Sequence, residues 1–251
     1  MLYTRVMPAL LLRNECLVKT VGFEKYTYVG DPCNTVRIFN ELEVDELLFF
    51  DITATLENRS PNLRVLRDIA EECFMPLTYG GGIKTFNQVR DILKLGFEKV
   101  AVNSCLDTDS SLIKRLVNHF GGQAIIGSID VKSNFLGKNR VYTQSGRKNI
   151  HKDPVKWAKA VEELGVGEIL LTSIEREGSW SGFDLSLIQE VSEAVNIPVI
   201  AHGGAGGVTD IGKAIDAGAS AVALGSMVVF QRKDMGVLVT FPDKKQMEGV
   251  L

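Results

Sequence analysis

The chain has 251 residues, of which 45% are hydrophobic and 24% are charged, so it can bury a large core as one α/β barrel or two small domains. A formal net charge of -3, with no basic run longer than a pair, gives no electrostatic footprint for nucleic acid. The apolar run at residues 6–12 contains Pro8 and is too short for a signal-peptide core or a membrane span. We therefore expect a cytoplasmic protein without a membrane partner.

The cysteines are spread widely along the chain and form no CxxC pair, which argues against both a zinc site and a disulfide framework. We predict that Cys16, Cys33, Cys73 and Cys105 are buried free thiols. The sequence therefore indicates neither a metal ion nor another cofactor.

Apolar runs of strand length recur along the chain, and most of them are followed by a turn and a helical pattern. The eight runs are residues 6–12, 46–51, 76–79, 99–103, 124–131, 168–172, 198–202 and 221–225. The clearest helical patterns are residues 34–43, 85–95, 110–120, 153–164 and 185–195. Alternating β and α elements with nearly continuous apolar strands indicate a parallel sheet covered by helices, and eight such units predict a (β/α)8 TIM barrel.

The two halves of the chain are similar to each other at a fixed offset of 122 residues. The matching positions are Asp31-Pro32 with Asp153-Pro154, Glu46 with Glu168, Pro76 with Pro198, Gly81-Gly82 with Gly203-Gly204, and Ser104 with Ser226. Ungapped matches of this kind indicate an internal repeat. We predict one domain over residues 1–251, built from two (βα)4 half-repeats of approximately 1–122 and 123–251, with an extra loop at 13–30 and a hairpin within 132–152.

Two glycine-rich turns, within residues 78–85 and 201–210, each follow a strand and open a helix. Glycines let backbone N–H groups approach an anion, and a helix N-terminus adds favourable partial charge. The predicted phosphate cradles consist of Gly81, Gly82 and Ser104 in the first half, and Gly203, Gly204, Gly225 and Ser226 in the second. Together they suit an elongated bisphosphate substrate, and we expect the second cradle to be the stronger. A single turn of this kind is more often an ordinary strand-to-helix connection.

The motifs "GDP", "VDELLFFDITA", "PLTYGGGIKT", "EKVAVNS", "GVGEILLTSIEREG" and "IPVIAHGGAG" occur in this order along the chain. With them, residues 5–230 resemble the cyclase subunit of imidazole glycerol phosphate synthase, the half of a glutamine amidotransferase that forms the imidazole in histidine biosynthesis. The resemblance implies a half-repeat barrel with two phosphate sites. It also implies lyase chemistry, with ammonia supplied by a class I glutaminase subunit on the N-terminal face.

Members of that family close the ammonia entry with a ring of alternating charges at the bottom of the strands. The resemblance assigns this gate to Arg5, Glu46, Lys99 and Glu168. Each lies four to six residues before the top of its strand, and at about 3.3 Å per residue this places the ring on the face opposite the chemistry. Without the resemblance, solvated charges on a barrel floor are the plainer interpretation.

In the family, two aspartates at the tops of strands 1 and 5 carry out the reaction. Asp130 matches the second, whereas Leu11 occupies the first position. Leucine carries no proton, and loss of one acid–base group typically costs 10²- to 10⁴-fold in rate. We therefore expect useful imidazole formation to be lost.

Other positions that match the family imply further site residues. Thr78, Asn103 and Thr172 join Asp130 as catalytic candidates, and Lys19 and Asp51 join Leu11 in the substrate pocket. The pocket departs from the family at Glu177, usually Asp, and at His202, usually Ser, which is either a pocket residue or a neighbour of a helix cap. Trp180 is either loop packing or a base-stacking residue.

Leu11 and the C-terminal "FPD" segment resemble a paralogous branch that occurs in surface-polysaccharide synthesis, beside a glutaminase and a sugar amidotransferase. That resemblance implies channelling of ammonia for amidation of a phosphorylated or nucleotide-linked sugar. Two alternatives stay open. One is the cyclase of histidine biosynthesis, working with Asp130 alone. The other is an isomerase of the sister half-repeat barrel family, which would have no use for the charged gate.

Overall fold

The computed structural model describes residues 4–134 and 137–249. It confirms the predicted fold class, a closed parallel barrel of eight strands with helices between them. The strands are β1 (Arg5–Arg13), β2 (Cys16–Val21), β3 (Glu24–Gly30), β4 (Leu47–Asp51), β5 (Leu77–Gly80), β6 (Lys99–Val102), β7 (Ile125–Ser133), β8 (Asn139–Thr143), β9 (Lys148–Asn149), β10 (Glu168–Ser173), β11 (Val199–His202) and β12 (Ala221–Leu224). The barrel order is β1, β4, β5, β6, β7, β10, β11 and β12, and β12 pairs with β1 to close it.

The predicted domain limits at residues 1 and 251 lie outside the described residues. The division of the chain into half-repeats stays a prediction.

The helices are α1 (Pro32–Glu41), α2 (Leu63–Glu72), α3 (Phe86–Lys94), α4 (Ser104–Thr108), α5 (Ser110–Phe120), α6 (Pro154–Glu163), α7 (Leu185–Ser192), α8 (Val208–Asp216) and α9 (Lys244–Glu248). Helices α1 and α6 both begin at an Asp-Pro pair, at Asp31 and Asp153. The aspartate accepts a hydrogen bond from a free N–H of the first turn, and proline fits the first helical position because no amide donor is needed there.

The interior of the barrel has three levels, because side chains alternate along each strand between the interior and the surrounding helices. The end of the barrel where the strands begin is called the floor, and the end where they finish is called the mouth. On β1, Arg5 lies at the floor, Met7 and Ala9 lie in an apolar middle, and Leu11 lies at the mouth. The apolar middle consists of Met7, Ala9, Leu48, Ala101, Ile126, Leu170, Ile200, Ala221 and Ala223. A larger apolar cluster fills the space between the strands and the helices.

Two antiparallel hairpins are added to the barrel strands. Our prediction of a loop at residues 13–30 was wrong, because β1 continues through Arg13 and pairs with Cys16, so that the segment forms β2 and β3. The hairpin predicted within residues 132–152 is present as β8 and β9. Both hairpins extend from carboxyl ends of barrel strands and therefore lie on the mouth side.

The four cysteines are free thiols, as predicted, but only Cys105 is buried, and Cys16, Cys33 and Cys73 are partly exposed. The prediction of burial was therefore wrong for these three, which lie near the ends of strands and helices. Burial raises the pKa of the Cys105 thiol to about 12. In the described ranges, the longest helices are too short or too polar to cross a membrane.

Candidate functional site

A pocket opens at the carboxyl ends of the barrel strands, where parallel strands bring their last interior side chains together. The predicted residues that line it are Leu11, Asp51, Gly81, Gly82, Asn103, Ser104, Asp130, Thr172 and His202. Three of the four catalytic candidates therefore share one cavity with the first phosphate cradle. The fourth candidate, Thr78, lies elsewhere.

Asp130, Thr172 and His202 form one row across three neighbouring strands. Strand pairing sets Thr172 opposite Asp130 on one side and opposite His202 on the other. Thr172 Oγ1 lies 3.1 Å from His202 Nδ1, within hydrogen-bond distance. Asn103 Nδ2 donates to Asp130 Oδ2 at 3.2 Å. The mouth thus holds two hydrogen-bonded pairs of polar side chains on neighbouring strands, Asn103 with Asp130 and Thr172 with His202.

Burial decides the protonation states in this row. It raises the pKa of Asp130 to about 7, and the nearby hydroxyl of Thr172, which favours the ionised form, offsets only part of that rise. Burial, reinforced by the charge of Lys19, lowers the pKa of His202 to about 3, so the imidazole is neutral at pH 7. A carboxyl group that titrates near neutral pH is suited to general acid–base chemistry.

Leu11 occupies the apolar side of the same pocket. Its strand position pairs with Phe50, which also lines the cavity, and only 6% of Leu11 is exposed. The two side chains give this wall no group that can exchange a proton. Asp130 and Asp51 are the only carboxylates in the described lining. Asp51 already accepts a hydrogen bond from the backbone N–H of Ala54, in the turn that follows it.

The first phosphate cradle is open to the pocket. Gly81 and Gly82 both have φ in the left-handed region, at +117° and +68°. A side chain on Gly81 would collide with the backbone oxygen of Asp51, so this turn requires glycine. Ser104, at the start of α4, lines the same cavity.

The second phosphate cradle is not part of the described lining of this pocket, and the prediction that it is the stronger of the two stays a prediction. Lys19 Nζ lies 2.7 Å from the position that a Cβ on Gly225 would take. The backbone oxygen of Gly182 packs against Gly204, and that of Trp180 lies 2.6 Å from a Cβ built on Gly206. The loop after β10 and the side chain of Lys19 therefore pack against the glycines of this cradle, and the backbone of Trp180 takes part in that packing.

Lys19 and Glu177 are buried behind the mouth. Lys19 Nζ donates to the backbone oxygen of Ala9 at 3.1 Å, and burial lowers the pKa of its ammonium group. Glu177 accepts hydrogen bonds from Thr20 Oγ1 at 2.9 Å and from the backbone N–H of Phe23 at 3.2 Å. Burial raises the pKa of the Glu177 carboxyl, against the effect of the nearby Lys19 charge. Glu177 thus ties the β2–β3 hairpin to the loop after β10.

Asp51 shapes the wall of the pocket. Its carboxylate accepts from the N–H of Ala54 at 3.0 Å and from both terminal nitrogens of Arg59 at 2.8 and 2.9 Å. These bonds fix the turn that leads from β4 toward the first cradle. The sequence singled out Asp51 but gave no sign of its partner Arg59, because the pair forms only when the turn folds back.

Four charged side chains close the opposite end of the barrel in a ring. Arg5 donates to Glu46 at 2.9 Å and to Glu168 at 2.6 Å, and Lys99 does the same at 3.2 and 2.8 Å. Burial alone would raise the pKa of Glu168, but hydrogen bonds from Arg5 and Lys99 outweigh it and leave that pKa below its usual value. The structure therefore brings all four predicted gate residues into one closed ring of alternating charge.

Thr78 belongs to this ring and not to the mouth, so its assignment among the catalytic side chains needs correction. It is fully buried, and its hydroxyl donates to Glu46 Oε1 at 2.8 Å. Strand pairing sets Thr78 opposite Lys99, at the level of the floor. The hydroxyl holds Glu46 so that Oε2 faces the two cations.

Sequence reasoning missed several residues of the mouth. Phe23 and Tyr26, from the β2–β3 hairpin, and Ser145, from the β8–β9 turn, all line the pocket. Ser145 Oγ donates to the backbone oxygen of Ile52 at 2.8 Å, which fixes the second hairpin against the rim. The aromatic residues in an otherwise polar loop were the only available signal.

Fold and site together define a (β/α)8-barrel protein with a polar pocket at its mouth and a charged ring at its floor. The sequence model of a family described as "Histidine biosynthesis protein" matches residues 5–234. The chain belongs to this family, among its HisF-like barrel proteins.

Relatives cover nearly the whole chain. "Putative imidazole glycerol phosphate synthase subunit hisF2" of Pseudomonas aeruginosa is 46% identical over 249 residues, with 99% of each chain covered. "Putative imidazole glycerol phosphate synthase subunit hisF3" of Vibrio vulnificus is 41% identical, over 100% of this chain and 97% of its own. Imidazole glycerol phosphate synthase subunit HisF of Alkaliphilus metalliredigens is 43% identical over 89% of each chain.

Proposed function

We propose that this protein is the barrel subunit of a glutamine amidotransferase. In this role it takes ammonia from a class I glutaminase at its floor and passes it through the barrel to a phosphate-bearing sugar at or beyond its mouth. The observation that carries the proposal is the ring of Arg5, Glu46, Lys99 and Glu168, a closed set of ion pairs around the axis of the barrel. Partly buried charges on a narrow opening are costly to dehydrate and serve no purpose for a substrate that enters at the other end.

The middle of the barrel supports passage of a small neutral molecule. Between the ring and the mouth the interior side chains are apolar, and four of them are alanines: Ala9, Ala101, Ala221 and Ala223. Moving neutral ammonia from water into such a region costs little free energy, whereas the ammonium ion would lose its hydration at a large cost. The pocket with Asp130 lies directly above this region.

The N-terminal face offers an apolar contact for a partner. Phe74 lies between α2 and β5 and is 88% exposed. Leu42, at the end of α1, is 37% exposed. Both residues precede the first residue of a barrel strand and so lie on the same face as the charged ring. An exposed phenylalanine is the kind of anchor that protein interfaces use.

Phe74→Asp is expected to weaken glutaminase binding by about 30-fold or more, since an interface anchor contributes about 2 kcal/mol or more. Calorimetric titration of the purified partners measures the affinity. Tyr28→Asp is the matched control, because Tyr28 is 64% exposed but lies on the mouth-side hairpin. Equal losses for both variants, or none for Phe74→Asp, would count against docking at this face.

The decisive test of the proposal combines the purified protein with a class I glutaminase from the same organism. Glutamate release is followed with and without phosphorylated or nucleotide-linked sugars and a sugar amidotransferase. We expect the barrel to stimulate glutamine hydrolysis and to transfer ammonia to an acceptor more efficiently than free ammonia in solution. If no glutaminase binds or is stimulated, the proposal is wrong.

The second candidate function is the cyclase of histidine biosynthesis, which the names of the relatives favour. Asp130 supports it, because a carboxyl with a pKa of about 7 exchanges protons readily at physiological pH. Leu11 opposes it, since the pocket wall that it forms has no second acid. The two candidates differ in whether a strain without a cyclase subunit grows without histidine once this chain is supplied.

A further inference from the structure

We propose that this protein has a second binding site, on the outside of the barrel wall, for a small neutral compound that carries several hydroxyl groups. The site is a cleft of about 520 Å³ beside the carboxyl ends of β1, β4 and β5, at the loop that leads into α2. Its volume falls in the range of small-molecule sites. The inference goes beyond ammonia delivery and does not depend on a glutaminase partner.

The cleft has an apolar base. Leu12, at the end of β1, and Val65 and Leu66, on the first turn of α2, line the cleft and are buried. These side chains belong to the apolar cluster between the strands and the helices. Leu11, the preceding residue of β1, lines the mouth pocket instead. Because side chains alternate along a strand, the cleft and the mouth pocket lie on opposite sides of β1.

A buried hydroxyl of this cleft has no hydrogen-bond partner among the residues that the structure describes. It belongs to Tyr79, on β5, which is 1% exposed and lines the cleft. Asp51 and Arg59 line the same cleft and their charges act on the phenol, so the hydroxyl end lies on the cleft side. Burial raises the pKa of the phenol, which therefore keeps its proton at neutral pH. Buried hydroxyls are usually paired, and an oxygen atom of a ligand would pair with this one.

The rim of the cleft offers a second hydroxyl donor. Ser60 Oγ accepts a hydrogen bond from Gln88 Nε2 at 3.0 Å, so the O–H of Ser60 can donate to a ligand. The neighbouring Asn62 is held by the chain itself, since its Nδ2 donates to Glu15 at 2.7 Å and its oxygen accepts from N–H groups of α2. Tyr79 and Ser60 can thus both donate, which suits a ligand with oxygen atoms at two or more positions.

The charges around the cleft favour a neutral ligand. Asp51 pairs with Arg59 at 2.8 Å, and Glu15 pairs with Arg64. Glu57 also pairs with Arg59, so three carboxylates stand against two guanidinium groups. This surplus would repel an anion, and a cation would compete with the guanidinium groups for carboxylates that are already paired. The apolar base fits the C–H face of a ligand, so a sugar ring or a polyol matches the cleft.

Asp51 connects the cleft to the mouth, because it lines both cavities. Arg59 holds the Asp51 carboxylate, and the backbone oxygen of Asp51 packs against Gly81 of the first cradle. A ligand that orders the turn between Asp51 and Arg59 would also order this cradle. We expect an occupied cleft to raise the affinity for inorganic phosphate by about fivefold, the lower end of the usual coupling between two sites. If glucose binds in the cleft and the phosphate affinity stays the same, this connection is wrong.

NMR titration of protein labelled with carbon-13 at tyrosine Cζ, next to the hydroxyl, tests the site on the intact chain. The sequence has five tyrosines, and Tyr79→Phe identifies the Tyr79 signal. With D-glucose as the probe, we expect this signal to move and to saturate with a Kd on the order of 1 mM, as for a small ligand of ordinary efficiency. The signal of Tyr26, which lines the mouth pocket, should change less. A Tyr79 signal that responds to inorganic phosphate but not to glucose would overturn the proposal.

Three variants separate binding in the cleft from binding elsewhere. Tyr79→Phe should weaken glucose binding about tenfold, as measured from the ligand signals, without lowering the melting temperature, because the lost hydroxyl has no described protein partner. Ser60→Ala changes an exposed rim position, so it keeps the test valid if Tyr79→Phe folds poorly. It should weaken binding about fivefold.

Ser192→Ala is the matched control, because Ser192, on α7, carries the other buried hydroxyl without a partner in the described part of the chain. This variant should bind glucose as the unmodified protein does. Unchanged affinity in both Tyr79→Phe and Ser60→Ala, or equal losses in Tyr79→Phe and Ser192→Ala, would overturn the proposal.

Discussion

Replacing Lys99 with alanine is expected to lower the ratio of aminated product to glutamate released by about tenfold, while the glutaminase still binds. Lys99 supplies two of the four ion pairs of the ring, to Glu46 at 3.2 Å and to Glu168 at 2.8 Å. Removing one partner of a fully buried pair costs about 3 to 5 kcal/mol, but Arg5 still pairs with both Glu46 and Glu168 here, so the loss of stability should be smaller. Lys99 is 15% exposed, so water is expected to fill the space that its side chain leaves beside the two carboxylates and to give ammonia a path to solvent.

Control variants isolate the ring. Lys99→Met retains most of the side-chain volume but removes the charge, so it tests whether the opening itself or the lost charge causes leakage. Lys114→Ala removes one exposed lysine from α5, well outside the ring. The measurement is the ratio of aminated acceptor to glutamate, together with glutaminase affinity. An unchanged ratio in both Lys99 variants would mean that the ring has no role in guiding ammonia.

The barrel itself could be predicted because its strands are encoded locally. The predicted run at 168–172 and the observed β10 (Glu168–Ser173) differ by one residue, and α5 (Ser110–Phe120) has the predicted limits. Apolar strands of a parallel barrel are buried on both sides and stand out from their turns. The β2–β3 hairpin escaped prediction because its exposed strand β3 carries little apolar signal.

The level of a side chain inside the barrel was harder to predict than its strand. Thr78 lies only two residues before Gly80, which reaches the mouth pocket, yet its hydroxyl bonds to Glu46 at the floor. The strands of a closed barrel are staggered along the barrel axis. This stagger depends on all eight strands together, so it cannot be predicted from the sequence of one strand. The pairing of Thr78 with Lys99 became visible only in the structure.

Contacts between distant segments set the other limit on prediction. The two glycine-rich turns look alike in sequence, but different segments pack against them. The turn after β4 packs against the first, whereas Lys19 from β2 and the loop after β10 pack against the second. The row of Asp130, Thr172 and His202 likewise depends on the register of three strands. Sequence periodicity identifies which residues face inward, whereas register decides which of them touch.

Leu11→Asp is expected to raise formation of imidazole glycerol phosphate by about 10²-fold, at the lower end of what one acid–base group supplies. Leu11 lines the same pocket as Asp130, so an aspartate there would face the site of chemistry directly. The new carboxyl would replace a side chain that is only 6% exposed, and it would repel an ionised Asp130. Some loss of stability should accompany the gain in rate.

The matched control is Leu11→Asn, which has nearly the shape of aspartate but cannot exchange a proton at neutral pH. Ammonium salt can supply ammonia in this assay, so the result does not depend on the glutaminase. Growth without histidine of a strain that lacks its cyclase subunit gives a second measurement. A gain with aspartate and none with asparagine would mean that position 11 alone separates this mouth from a working cyclase. Equal rates for both variants would mean that other differences in the pocket, such as His202, have already adapted it to another ligand. Substantial growth supported by the unmodified chain would make histidine biosynthesis the better assignment, because Asp130 would then suffice without a partner at position 11.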